Sequence, residues 1–219
     1  MSLAKSRRLP LWLALAIPLV LGGCGVNTIP TKQEAAKAAW AEVQNQYQRR
    51  SDLIPNLVQT VQGYAQQERG VLVDVTNARA KATSVQVDAS TITNPAAFKQ
   101  YEQAQNNLSG VLGRLMVVNE RYPELKSNEN FLALQSQLEG TENRIAIARR
   151  DYNSAVQSYN TEIHTFPGVL WVDALYHDAK DMSLFSASEQ AQSAPQVNFN
   201  IPPPGGGAPA VAPGSAPPK

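Results

Sequence analysis

FLALQSQLEGTENRIAIARRDYNSAVQSY, residues 131–159, is the stretch that decides the fold. Phe131, Leu134, Leu138, Thr141, Ile145, Ala148, Tyr152, Ala155 and Tyr159 recur along it as one series. The spacing alternates three and four, which puts every one of them on one stripe of an α-helix. That is also the rhythm of helices packed at a shallow angle. Ser127 or Asn128 can cap the start and Pro167 stops it. At ~1.5 Å per residue, a helix from Asn128 to Thr165 spans roughly 55 Å.

The same pattern recurs upstream. Asn94-Pro95 marks a helix start, Asn as cap and Pro in the first helical position. The stripe that follows is Phe98, Tyr101, Gln105, Leu108, Leu112, Leu115 and Val118, ending near Arg121 because Pro123 forbids continuation. Before it, Leu57, Val61, Tyr64, Glu68, Val71, Val75, Ala78 and Ala82 form a second stripe, running to about Thr83. Ser84 to Thr93 reads as a crossover. Ala36, Trp40, Val43 and Tyr47 form another stripe, from about Lys32 to Asp52. Pro55 separates these two, and we expect a tight turn at Ser51 to Ile54, with a kink in one long helix as the rival reading. Four amphipathic helices bury their stripes by packing together. The expected fold class is all-α: an antiparallel four-helix bundle of long helices over residues 32–167.

The ends differ. Lys5, Arg7 and Arg8 precede an apolar run from Leu9 to Leu21 that contains Pro10 and Pro18. A bilayer span takes ~20 apolar residues, so this run reads as a secretory signal, residues 1–23. It ends in Leu21-Gly22-Gly23-Cys24, which resembles the lipobox of bacterial lipoproteins. That resemblance implies lipidation of Cys24, whose sulfur would accept diacylglycerol and whose freed amine would take a further acyl chain; two chains suffice for stable anchoring. The other reading is an uncleaved signal anchor. Gly25 is not the Asp that retains such lipoproteins in the inner membrane, which implies the outer membrane, facing the periplasm, in a host with two membranes. Residues 24–31 read as a tether. Residues 168–200 form a C-terminal extension whose apolar stretch Val169 to Tyr176, with Trp171 at its centre, either packs on the bundle end or offers a contact surface. The tail IPPPGGGAPAVAPGSAPPK, residues 201–219, cannot bury a core and is expected to be disordered.

Composition removes several function classes. With 19 basic and 18 acidic residues the net charge is +1, which gives no electrostatic ground for nucleic acid as partner. One cysteine rules out an intrachain disulfide and a Cys-based zinc site. His164 and His177 both lack the Glu three residues earlier that a bundle di-metal site uses. No G-x-S-x-G segment and no Gly-rich phosphate loop occurs. No metal and no cofactor is implied, and the expectation is a non-enzyme.

Scattered motifs carry a family resemblance. They are Arg49-Arg50-Ser51-Asp52-Leu53-Ile54-Pro55-Asn56-Leu57-Val58, Tyr64-Ala65, Ala78-Arg79-Ala80, Arg121-Tyr122-Pro123-Glu124-Leu125 and Leu138-Glu139-Gly140-Thr141-Glu142-Asn143-Arg144-Ile145. Ala148-Arg149-Arg150-Asp151-Tyr152-Asn153, Tyr159-Asn160, Phe166-Pro167 and Ala194 to Phe199 complete the set. Together they resemble the LemA family of membrane-anchored bacterial proteins, from about Ala36 to Phe199. The resemblance implies a long-helix bundle on the outer side of a membrane and supplies no reaction. The short lipobox pattern departs from the uncleaved N-terminal helix common in that family, and Gly168 to Phe185 departs from its pattern too.

The polar residues that stand out are Arg50, Asp52, Asn56, Glu139, Glu142, Asn143, Arg144, Arg149 and Asp151. They either form a ligand or partner surface, or cap turns, pair across helices and fix register as a partly buried network. The expected function is a lipid-anchored, non-enzymatic scaffold or adaptor for another, unidentified, envelope protein. A binding module for a small or polymeric envelope ligand is the alternative, and an enzyme of unrecognised type the third.

Overall fold

The computed structural model describes residues 25–85, 88 and 90–186. Cys24, the apolar run before it and the Pro-rich tail lie outside the described residues. Among the described residues there is no strand. The helices are α1 (Thr28–Tyr64), α2 (Arg69–Ser84), α3 (Pro95–Val118), α4 (Pro123–Lys126), α5 (Glu129–His164) and α6 (Gly168–Ala174). Short 3-10 turns occupy Gln66–Glu68, Thr91–Thr93 and Asn119–Arg121.

The expected turn at Ser51 to Ile54 is corrected. α1 continues through Pro55 for 37 residues in all, and starts at Thr28, inside the stretch read as a tether. A proline in mid-helix has no N–H and leaves the carbonyl four residues earlier without its bond. That carbonyl belongs to Ser51, and the Arg79 Nε of α2 donates to it at 2.9 Å. A charged side chain from a neighbouring helix thus replaces the missing donor. The chain instead reverses at Ala65, whose φ of −122° and ψ of 57° leave the helix. Arg79→Ala should cost about 1–3 kcal/mol, because it orphans a carbonyl and a charged hydrogen bond. The same change in a Pro55→Ala background should cost at least ~1 kcal/mol less, since residue 55 then supplies its own N–H. Urea midpoints of the four proteins read this coupling; equal costs in both backgrounds would refute the account of Pro55.

The other start signals behave as the sequence suggests. Asn94 Oδ1 accepts from the amides of Ala96 and Ala97, and Pro95 opens α3. Asn128 Oδ1 accepts from the Phe131 amide and caps α5. α1 and α5 run antiparallel along their whole lengths: Lys32 pairs with Glu162 at 2.6 Å, Arg50 with Glu142 at 2.8 Å, and Asn128 donates to the Tyr64 hydroxyl at 2.9 Å. α2 and α3 form a second antiparallel pair, tied by Glu68 to Arg121 at 3.2 Å and by Gln105 to the Ala82 carbonyl at 3.4 Å. The close backbone packing is α1 on α5, α2 on α3 and α1 on α2.

Two cores are buried along this framework. One is aromatic, built on Trp40, Tyr47, Phe98, Tyr101, Tyr152 and Phe185. The other is aliphatic, built on Ile54, Leu57, Val75, Leu108, Leu115 and Leu138. Of the stripes read from sequence, those of α1, α3 and α5 lie inside apart from the half-buried Leu134 and Ala155, while Tyr64 of the second stripe is exposed.

The segment after α5, as far as Phe185, takes a form that no local pattern announces. α6 lays Trp171 and Val172 on the aromatic core. Gly168 meets α5 so closely that a Cβ there would clash with the Glu162 carbonyl oxygen. Residues 176–185 then run back along α5 as a non-helical strap, with Met182 and Phe185 buried. The Asn153 amide grips Phe185 on both sides: Oδ1 accepts from its N–H at 2.9 Å and Nδ2 donates to its carbonyl at 3.0 Å. Asn160 holds Met182 in the same way, at 3.0 and 2.9 Å. The two asparagines sit seven residues apart, so both face the strap while the preceding tyrosines, Tyr152 and Tyr159, fill the core. Asn153→Ala should speed hydrogen exchange of the Phe185 amide by at least ~10-fold, with a smaller change at Met182. Unchanged exchange at Phe185 would show that packing alone holds the strap.

Candidate functional site: a buried arginine layer and the groove beside it

Because α1 is continuous, Arg50 falls on its inner face between Tyr47 and Ile54. It is 1% exposed. On α1, α3 and α5 alike a polar layer separates the aromatic core from the aliphatic one: Arg50 and Ser51 on α1, Gln105 on α3, Thr141 and Glu142 on α5.

The guanidinium spans the space between α3 and α5. Its Nη1 donates to Glu142 Oε1 at 2.8 Å and to Ser109 Oγ at 2.5 Å; Nη2 donates to Gln105 Oε1 at 2.6 Å. The Tyr47 ring lies 5.0 Å from the guanidinium carbon. The fork geometry of arginine allows this; a lysine ammonium has no equivalent planar reach. Burial pushes the Tyr47 phenol up, against the opposing pull of Arg149 and Arg50. Burial also holds Tyr101 and Tyr152 well above the ordinary phenol value. These hydroxyls therefore stay neutral, and the anion facing Arg50 is Glu142, itself 42% exposed.

A second arginine makes a parallel bridge. Arg149 of α5 pairs with Glu102 of α3 at 2.9 Å and lies 4.4 Å over the Phe185 ring of the strap. Glu102 and Gln105, one turn apart on α3, are network members that sequence reasoning alone does not reveal. The available signal is a Glu and a Gln on or beside an otherwise apolar stripe.

Between α3 and α5, outside the polar layer, opens a groove of about 500 Å³. Its floor is Leu112, Met116 and Leu138, and Glu139, Glu142 and Asn143 stand along its α5 rim. A smaller cavity of about 150 Å³ lies among Tyr47, Ser51, Tyr101 and Gln105. Ser51 Oγ, on its wall, is buried without a hydrogen-bond partner, and so is Arg50 Nε in the same polar layer.

The residues named from sequence divide clearly. Arg50 and Glu142 meet, and Glu139 and Asn143 join Glu142 at the groove. Arg149 belongs to the second bridge. Asp52 is exposed and accepts from Gln48 at 2.7 Å, not at a turn but on the outside of a continuous helix. Asn56 is exposed one residue after Pro55. Arg144 is exposed, and Asp151 pairs with its neighbour Arg150 at 3.5 Å. Cys24 lies outside the described residues. Among the described residues no group of three or more His, Cys, Asp or Glu is placed to hold a metal ion, and no helix is long and apolar enough to cross a membrane.

Comparison with known proteins places this arrangement. The LemA family matches residues 39–199. Protein LemA of Metamycoplasma hominis is 26% identical over 165 residues, covering 74% of this chain and 69% of that protein. Magnetosome protein MamQ 2 of Paramagnetospirillum magneticum is 27% identical over 157 residues, 64% of this chain and 58% of that protein. Magnetosome protein MamQ of Magnetospirillum gryphiswaldense is 24% identical over the same shares. The chain thus spans a little over half the length of the magnetosome proteins it matches. The family match takes in most of α1, both arginine bridges, the Asn clamps and the strap, and on that extent the chain belongs to the LemA family.

Proposed function

We propose that this chain is a lipid-anchored, non-enzymatic scaffold or adaptor of the cell envelope, with α1, α2, α3 and α5 acting as an antiparallel four-helix bundle that presents the α3–α5 groove to a protein partner. The groove carries the proposal. It has an apolar floor and a polar rim, as partner-binding surfaces do, and Arg50 and Glu142 brace it from below. Arg50 lies roughly 30 Å along α1 from Thr28, so the groove stands well away from the end where the chain would be anchored. Anchoring through Cys24 would place it outside the cytoplasm, on the outer membrane facing the periplasm in a host with two membranes. Relatives named as magnetosome proteins accord with a role in organising a larger cellular structure.

A photoreactive residue replacing Met116 in the living cell tests this reading, with the same residue replacing Val73 on the far side of α2 as control. A single adduct of defined mass from position 116, absent from position 73, is the expected result. The volume of the groove also falls in the range of small-ligand sites. No adduct at 116, together with thermal stabilisation by an envelope extract depleted of protein, would replace the adaptor by a ligand-binding module. Cys24→Ser should abolish acyl labelling and leave the precursor unprocessed; normal maturation would refute lipidation.

A further inference from the structure

Three large apolar side chains stand exposed within one short segment: Phe166 at 80%, Leu175 at 58% and Leu170 at 53%. Each is the sequence neighbour of a residue that touches the first described residues of the chain. Pro167 and Trp171 face Gly25, where an added Cβ would meet Pro167 Cγ at 3.8 Å and Trp171 Nε1 at 3.7 Å. The Tyr176 hydroxyl donates to the Val26 carbonyl at 3.0 Å. Gly25 itself directly follows Cys24, and one residue reaches ~3.8 Å. From Thr165 to Tyr176 the sequence carries a single charge, Asp173.

From this juxtaposition we infer that the α6 end of the bundle rests directly on a lipid surface, with Phe166, Leu170 and Leu175 set among the headgroups. The inference rests on the reading of residues 1–24 as a membrane anchor, lipidated or uncleaved. An anchor attached at Cys24 leaves no free linker between the bilayer and the bundle, because residues 25–27 already form a turn against α6 and α1 begins at Thr28. The exposed apolar groups around that point are therefore held at the depth where apolar and amphipathic aromatic side chains partition favourably. The bilayer so fixes the orientation of the rod as well as its location.

The test uses the full chain in phosphatidylethanolamine–phosphatidylglycerol vesicles. A spin label is attached at Phe166→Cys or at Leu170→Cys. The control is Ser127→Cys, at the opposite end of the bundle next to the Asn128–Tyr64 contact; the signal of the unsubstituted chain is subtracted. Oxygen accessibility relative to a water-soluble nickel chelate should rise several-fold at 166 and 170 and not at 127. A label at 166 and 170 as aqueous as that at 127 overturns the inference. So does a label reached by neither quencher, which would mean that a protein surface covers the patch. Flotation with the vesicles separates the two levels. A chain that does not float defeats the anchor and this inference together; a chain that floats with aqueous labels at 166 and 170 defeats this inference alone.

Discussion

Trp40→Ala is expected to lower the stability of the protein by about 3–5 kcal/mol, the range for removing a large buried aromatic from a packed core. The Trp40 ring centroid lies 5.3 Å from that of Tyr152, 5.5 Å from Tyr101, 5.6 Å from Phe98 and 5.9 Å from Phe185. One side chain of α1 therefore joins α3, α5 and the strap. Such ring pairs contribute beyond the area they bury, and the cavity left behind cannot close without moving all three partners. The effect should be selective in space. Hydrogen-exchange protection should fall first in residues 182–185 and only later around Leu57 and Leu115 in the aliphatic core. Trp40 Nε1 is buried without a hydrogen-bond partner, so Trp40→Phe discards no hydrogen bond and should recover most of the loss. Chemical denaturation of the three proteins decides the matter; a deficit below ~1 kcal/mol for Trp40→Ala would mean that the aromatic core is not cooperative.

Glu142→Ala should cost about 2–4 kcal/mol, although Glu142 is the more exposed member of its pair. The reason is the asymmetry of the bridge. Removing the carboxylate leaves the Arg50 guanidinium, 1% exposed, without an anion, and an uncompensated buried charge is the expensive outcome of breaking such a pair. The 42% exposure of Glu142 moderates the penalty, since water can enter where the carboxylate was. Replacing both partners should be far milder than replacing Glu142 alone. In Arg50→Met with Glu142→Ala neither partner leaves an uncompensated charge behind, and Met fills much of the space. A double-mutant cycle reads the difference directly. If the double variant is as unstable as the sum of the singles, the two residues do not act as a unit. The same cycle, read by crosslinking from position 116, reports whether the polar layer shapes the groove or only supports the fold.

Several of these features are legible in the amino-acid order alone. The stripe from Phe131 to Tyr159, the Asn94-Pro95 start and the Asn128 cap are local statements: a helix rewards apolar spacing of three and four, and a cap needs only its own next turn. Arg50, Glu142, Glu139 and Asn143 also stand out as polar groups beside apolar stripes. Their partners do not. Arg50 reaches Gln105 and Ser109, more than fifty residues away in sequence, and Arg149 finds Glu102 on another helix. Pro55 misleads for the same reason. Read alone it ends a helix, because nothing within four residues can supply the missing donor; Arg79, on another helix, does supply it. The true reversal at Ala65 has a weak local signature, with only Gly63 and Gly70 near it as poor helix formers. The strap has no apolar period at all, being held by asparagine amides whose repeat, Tyr152-Asn153 and Tyr159-Asn160, becomes meaningful only when an extended segment is laid against it.

The amino-acid order by itself determined that the middle of this protein is helical, where most apolar faces lie, and which family its motifs resemble, because each of those follows from interactions spanning a few residues. Tertiary structure decided where the chain turns back, what occupies the boundary between the two cores, and that an extended strap completes one of them. Those outcomes depend on backbone and side-chain groups finding donors, acceptors and counter-charges on distant elements, and the free energy of that matching does not exist until the elements are brought together.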